Sequence, residues 1–178
     1  MERRDFLKLC RAAAGVDQAQ GDREGTETMA DLKHVTYCGL YCKLCANVAR
    51  IPQQAGELRE TLRREGFQHF GESVYEDFSE FWKVLEALEE SGESCPGCRG
   101  GCGWPQCPMR KCAREKGLEV CSQCDEYPCE HVQELARRYP NLIADGMRQR
   151  EVGLDRWIQE QEARRQTGFC YSQIRYGD

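Results

Sequence analysis

The sequence predicts a small, mainly α-helical domain stabilised by metal, with irregular zinc-knuckle-like cysteine loops and little strand. Three observations carry that reading. Thirteen of the 178 residues are cysteine, several times ordinary usage. Leu, Ile, Val and Phe together number only 31, short of the roughly 20 % below which a chain struggles to bury a sufficient core. Apolar residues outside the cysteine-rich stretch recur at three and four positions, the period of a helix, with no alternating strand pattern and no fixed repeat. A net charge of −5 is small, so the shortage of core points to cross-linking by metal or disulfide rather than to disorder. The acidic balance argues against a general nucleic-acid binder and leaves another protein as the expected partner.

Residues 1–30 read as a flexible N-terminal segment and residues 31–178 as the cysteine-rich metal-binding domain. Glu2-Arg3-Arg4-Asp5-Phe6-Leu7-Lys8 matches the core of a twin-arginine export signal. Arg11 and Asp17 cut the apolar stretch that should follow, so the motif reads as degenerate and the expected compartment is cytoplasmic, with export by that route as the alternative. The compartment matters, because cytosolic thiols stay reduced and ligand-like spacing there means metal. Residues 17–31 are polar, dotted with glycine and without period, as a linker should be. No apolar run approaches the roughly 20 residues of a membrane span.

A helix is expected over 52–64, opened by Pro52 and stopped by Gly66. A second should start from a cap at Ser73, with Val74, Phe78, Phe81, Trp82, Leu85 and Leu88 on its core face. From Ser94 to Cys129 eight cysteines are interleaved with glycines and prolines, so turns dominate except for a short helix over 109–116 closed by Gly117. Val132, Leu135, Ala136 and Tyr139 make a stripe on a helix that begins near Pro128 and ends at Pro140. A last helix over 154–165 presents Leu154, Trp157 and Ile158 on one side, before a short tail.

The cysteine spacing is Cys38-x3-Cys42-x2-Cys45, then Cys95-x2-Cys98-x3-Cys102-x4-Cys107-x4-Cys112-x8-Cys121-x2-Cys124-x4-Cys129. A two-residue gap is a pincer: a turn of that length aims two thiolates at one ion and frees backbone amides to bond sulfur. The candidate metal ligands are Cys38, Cys42, Cys45, Cys95, Cys98, Cys107, Cys112, Cys121, Cys124 and Cys129, with Cys95/Cys98 and Cys121/Cys124 as the leading pincers. Zinc at two or three sites is the first expectation. A 4Fe-4S iron–sulfur cluster is the alternative, favoured by three close cysteines at Cys38, Cys42 and Cys45 with a remote fourth. That same string marks radical enzymes using S-adenosylmethionine, but no alternating strand–helix series for their barrel follows it. Cys10 and Cys170 have no neighbour in sequence and are expected outside the ligand set, and His34, His69 and His131 read as surface or capping residues.

Cys38-Gly39-Leu40-Tyr41-Cys42-Lys43-Leu44-Cys45, Cys95-Pro96-Gly97-Cys98, the Cys112 to Cys121 stretch and Cys124-Asp125-Glu126-Tyr127-Pro128-Cys129-Glu130 together resemble the small cysteine-rich proteins grouped as DUF3795. The likeness runs from about Val35 to Val132; Cys102 and the twin arginines are additions to the pattern. The resemblance implies a compact soluble domain of mainly anaerobic bacteria and archaea, with a metal site and no assigned activity.

No acid–base pair, activated nucleophile or phosphate-binding glycine loop can be picked out, and Gly100-Gly101-Cys102-Gly103 lacks the strand–helix context such a loop needs. The expected function is therefore a metal-binding structural or protein-interaction module. The alternatives are an iron–sulfur protein in electron transfer or redox sensing, and a thiol enzyme handling sulfur or metal transfer. The basic stretch Arg99, Arg110, Lys111, Arg114 and Lys116 keeps docking of an acidic partner open beside its reading as a solvated face. A chain trimmed to residues 31–178 should keep the metal content and thermal melt of the full chain; an early melt by circular dichroism would place core contacts in the first 30 residues.

Overall fold

A computed structural model describes residues 32–175. The expectations for the segment 1–30, including the twin arginines and Cys10, lie outside them. Among the described residues there is no strand, only one isolated antiparallel bridge between Val35 and Tyr41. The chain forms helices in two groups, one carrying aromatics and one carrying the cysteine loops.

The first group begins with the short helix α1, Ala46–Ala49, and continues into α2, Ile51–Arg64, with Pro52 in its first turn as expected. Gly66, at φ +80, ends the run. Next come α3, Phe67–Val74, and α4, Phe78–Glu90. The expected cap at Ser73 is corrected here: Ser73 lies inside α3, and its hydroxyl donates to the Phe70 carbonyl at 2.6 Å. The open amide at the start of α4 is met instead by Glu72, whose carboxylate accepts from the Ser79 amide at 2.8 Å and the Ser79 hydroxyl at 2.7 Å. A carboxylate serves well at this end of a helix, where its charge faces the positive end of the dipole. Phe67 at the start of α3 and Phe78 at the start of α4 meet with ring centres 5.9 Å apart. Gly71 lets Phe78 close on α3, since a Cβ there would overlap the ring. Arg59 of α2 bonds Glu89 of α4 at 2.7 Å. Of the expected core stripe, Phe78 and Leu85 are buried, whereas Val74 and Phe81 stand exposed.

The second group holds α5, Pro108–Glu115, α6, Glu130–Ala136, and α7, Leu142–Gln166, which breaks at Gly153 (φ 76, ψ 166). Only the half after Gly153 is legible as a helix in the sequence. In the half before it the buried positions are Leu142, Gly146 and Gln149, so a glycine and a glutamine stand where an apolar stripe would announce a helix. The core gathers Val35, Tyr41, Leu44, Val120, Val132, Leu142, Trp157 and Tyr171. The tail folds back into it: the Tyr41 amide donates to the Tyr171 hydroxyl at 2.9 Å, and Tyr41 meets Trp157 edge-on at 6.1 Å.

Gly146 faces Tyr127, whose hydroxyl donates to the Leu142 carbonyl at 3.2 Å. A Cβ on Gly146 would overlap that hydroxyl. Helix propensity alone would make Gly146→Ala stabilising by about 1 kcal/mol, whereas overpacking costs roughly 1–3 kcal/mol. Gly146→Ala should therefore lower stability in urea denaturation; a gain would mean Tyr127 swings aside freely.

Candidate functional site

The cysteine loops have few backbone ladders to hold them, so side chains do that work. The buried Arg110 of α5 donates to the carbonyls of Cys98 (3.1 Å), Cys102 (3.1 Å), Trp104 (2.6 Å) and Pro105 (3.1 Å). Arg99 donates to Leu32 and Val35 carbonyls, both at 2.9 Å, and to Glu119 at 2.7 Å, while its guanidinium lies 4.6 Å from the Tyr37 ring centre. Arg114 also leans on Tyr37, and Lys116 bonds Glu126 at 2.9 Å. The basic stretch seen in the sequence thus spends much of its charge on the protein's own carbonyls and carboxylates. On the other side, Gln149 of α7 accepts from Ser122 at 2.7 Å and donates to the Gly39 carbonyl at 2.9 Å, and Arg150 donates to Ser122 and Cys124 carbonyls. Glu162, farther along α7, accepts from the Tyr41 hydroxyl and the Lys43 ammonium, both at 2.6 Å.

This framework gathers the sulfurs into two neighbourhoods. In the first, Cys42 has Cys98, Cys95 and Cys45 as neighbouring thiols, its sulfur receives the Cys98 amide, and it lies against Gly97 of the Cys95–Cys98 turn. In the second, Cys121 is surrounded by Cys38, Cys129, Cys112 and Cys107. The Cys38-Cys42-Cys45 string is therefore divided: Cys38 turns toward Cys107 and Cys121, with Cys98 between the groups, while Cys42 and Cys45 face the Cys95/Cys98 pincer. The tie is the Cys121 amide, which donates to the Tyr37 carbonyl at 2.7 Å.

Backbone amides reach several of the sulfurs. Cys38 receives Leu40, Cys45 receives Asn47 and Cys95 receives Gly97, each two residues on. Such bonds favour thiolate. Burial opposes them and wins, pushing the Cys42 and Cys121 thiols up to about 12 and Cys38 to about 11. Neighbouring thiols push the same way. Cys95 goes the other way, brought below its ordinary value by its hydrogen bond with Cys102, at a sulfur–sulfur distance of 3.4 Å. As the side chains stand, no three His, Cys, Asp or Glu side chains among the described residues form a metal-holding group; the two sets are neighbourhoods of sulfur rather than closed cages.

Cys124, the second arm of its pincer, accepts from the Lys116 ammonium at 3.5 Å. Two cysteines outside the expected ligand set lie beside members of the first sulfur neighbourhood. Cys102 touches Cys95, and Cys170 is buried near Cys45 with the Ser172 hydroxyl at 3.2 Å from its sulfur. Nothing in the spacing announces Cys170, because the fold-back of the tail brings it in. A signal did exist for Cys102, in the three glycines of the loop that carries it.

The fold and these loops define a class: a small helical protein whose irregular loops collect thiols into two partly buried groups on amide-rich turns. The sequence profile of the family described as "Protein of unknown function (DUF3795)" matches residues 34–134, more than half the chain. The chain belongs to that family, and the match takes in every cysteine except Cys10 and Cys170. No curated protein and no solved structure matches it. Among the described residues no helix is long and apolar enough to cross a membrane.

The thiol shifts carry a pH dependence. A thiol held neutral by burial contributes stability that is complete below its ordinary value of 9.0 and is lost as pH rises toward its raised value in the fold. The metal-free chain should therefore lose stability between about pH 9 and pH 12, the interval set by the raised Cys42 and Cys121. Urea midpoints at stepped pH test this, and a midpoint level through that interval would contradict it.

Proposed function

We propose that this protein is a metal-binding module in which two thiolate-held zinc ions stand in for missing hydrophobic core and present the aromatic helices to a protein partner. The observation that carries the reading is the facing of two pincers, Cys42/Cys45 and Cys95/Cys98, with backbone amides already donated to three of their four sulfurs. Those donors lower the cost of the thiolate form that zinc requires. The first site is Cys42, Cys45, Cys95 and Cys98. A second takes Cys38, Cys107 and Cys121, with its fourth sulfur from Cys112, Cys124 or Cys129. Zinc is preferred to a 4Fe-4S cluster because the three close cysteines divide between neighbourhoods instead of serving one cluster with a remote fourth. Exposed Leu58, Phe70, Tyr75 and Phe81 supply the apolar surface a partner would cover.

Metal per chain, measured by elemental analysis across single substitutions, tests the assignment. Two zinc ions per chain are expected, with Cys42→Ser or Cys98→Ser losing one, Cys38→Ser or Cys121→Ser losing the other, and Cys170→Ser losing neither. Removal of both by a strong chelator should leave a folded chain whose urea midpoint at neutral pH lies well below that of the zinc-loaded one, since bound structural zinc adds its binding free energy to the fold. Iron with absorbance near 400 nm in anaerobically purified protein, or full metal in Cys98→Ser, would overturn the reading.

A further inference from the structure

A cleft of about 530 Å³ opens beside the first sulfur neighbourhood, lined in part by Lys33, His34, Lys43, Glu93, Cys95 and Arg165. Its volume falls in the roughly 300–1,000 Å³ range of small-molecule sites. Three permanent cations stand in that wall against Glu93 and, behind Lys43 and Arg165, the Glu162 carboxylate that both of them bond, at 2.6 and 2.7 Å. Cys95 is the one thiol among the lining residues, and its sulfur lies 3.4 Å from that of Cys102. Closing a disulfide would bring these sulfurs to about 2.05 Å. The loop between them includes Gly101, at φ +94 with open space on its Cβ side.

We propose that this cleft binds an anionic low-molecular-weight disulfide and passes its oxidation to the Cys95–Cys102 pair. Carboxylates of the ligand rest against Lys33, Lys43 and Arg165 while its sulfur–sulfur bond meets Cys95. The Cys95 thiolate attacks one ligand sulfur, forming a mixed disulfide and releasing one thiolate. Cys102 then attacks the Cys95 sulfur, closing the internal disulfide and releasing the second thiolate. Two protein thiols are oxidised, one ligand disulfide is reduced, and the two thiol protons end on the two ligand thiols. The exchange stands without metal; that it removes Cys95 from a zinc site rests on the function proposed above.

The test treats the full chain, as purified, with three small disulfides of different charge: dithiodiglycolate (anionic), 2-hydroxyethyl disulfide (neutral) and cystamine (cationic). Peptide mapping by mass spectrometry reads the Cys95–Cys102 link, and a zinc-indicator dye reads released metal in the same samples. The anionic reagent should form the link about tenfold faster than the neutral one, the lower end of electrostatic steering. That advantage should shrink in 0.5 M salt, a screening length of about 4 Å, and in Lys33→Gln. Cys102→Ser should stop at a mixed disulfide on Cys95. Equal or faster reaction with cystamine, first modification at another cysteine, or no 95–102 link in the unsubstituted chain would overturn the proposal. Formation of the link with zinc retained would leave this inference standing and remove Cys95 from the proposed zinc ligands.

Discussion

Four carbonyls of the loop between Cys98 and Pro105 converge on the buried guanidinium of Arg110. Backbone groups in an irregular loop have no ladder partner, and leaving them unpaired in a buried place costs about 1–3 kcal/mol each. One arginine meets that need for a whole loop, because its planar fork offers five donors in fixed directions. Everything downstream depends on it. In the same loop the Gly101 and Cys107 amides share the Cys98 and Trp104 carbonyls with Arg110, and the Cys98 amide reaches the Cys42 sulfur.

The same logic is repeated around the molecule. Arg99 collects carbonyls from the start of the described chain, Gln149 bridges Ser122 and Gly39, and Arg150 holds the Cys121–Gln123 turn from α7. Buried polar side chains that satisfy themselves completely specify one arrangement more sharply than apolar contacts do. Gln149 shows why: shifting α7 by one residue would leave its amide, the Ser122 hydroxyl and the Gly39 carbonyl all without partners. A protein short of large apolar residues thus fixes its loops by hydrogen-bond matching, and its innermost contacts, such as Tyr41 on Trp157, by packing.

Crowding thiols in such loops has an electrostatic consequence. Burial and the neighbouring sulfurs both hold Cys38, Cys42 and Cys121 in the neutral form, while amides two residues on from Cys38, Cys45 and Cys95 favour the charged one. The two tendencies conflict in the bare protein. The zinc proposed above would resolve them, since the charge of a divalent cation offsets that of thiolates. Glu162 shows the resolved version with ordinary groups: burial raises its pKa, but bonds from Lys43, Tyr41 and Arg165 hold it down at about 2.

The sequence by itself determined the local elements. Pro52 and Gly66 bracket α2, Gly117 follows α5, and the two-residue gaps at Cys42/Cys45, Cys95/Cys98 and Cys121/Cys124 are legible because turns and helices are set by residues within four positions of one another. Ser73 misled because its hydroxyl had two local choices, and Glu72 supplied the bond to Ser79 instead. The half of α7 before Gly153 was illegible, because its buried positions are filled by Gly146 and by Gln149, whose partners are distant in sequence. Only the tertiary structure decided which sulfurs meet: it turned Cys42 and Cys45 toward Cys95 and Cys98, sent Cys38 toward Cys121, and brought Cys170 in from the tail. Those meetings depend on α7 docking through Glu162 and Gln149 against loops more than 100 residues earlier, and spacing along a chain carries no record of such contacts.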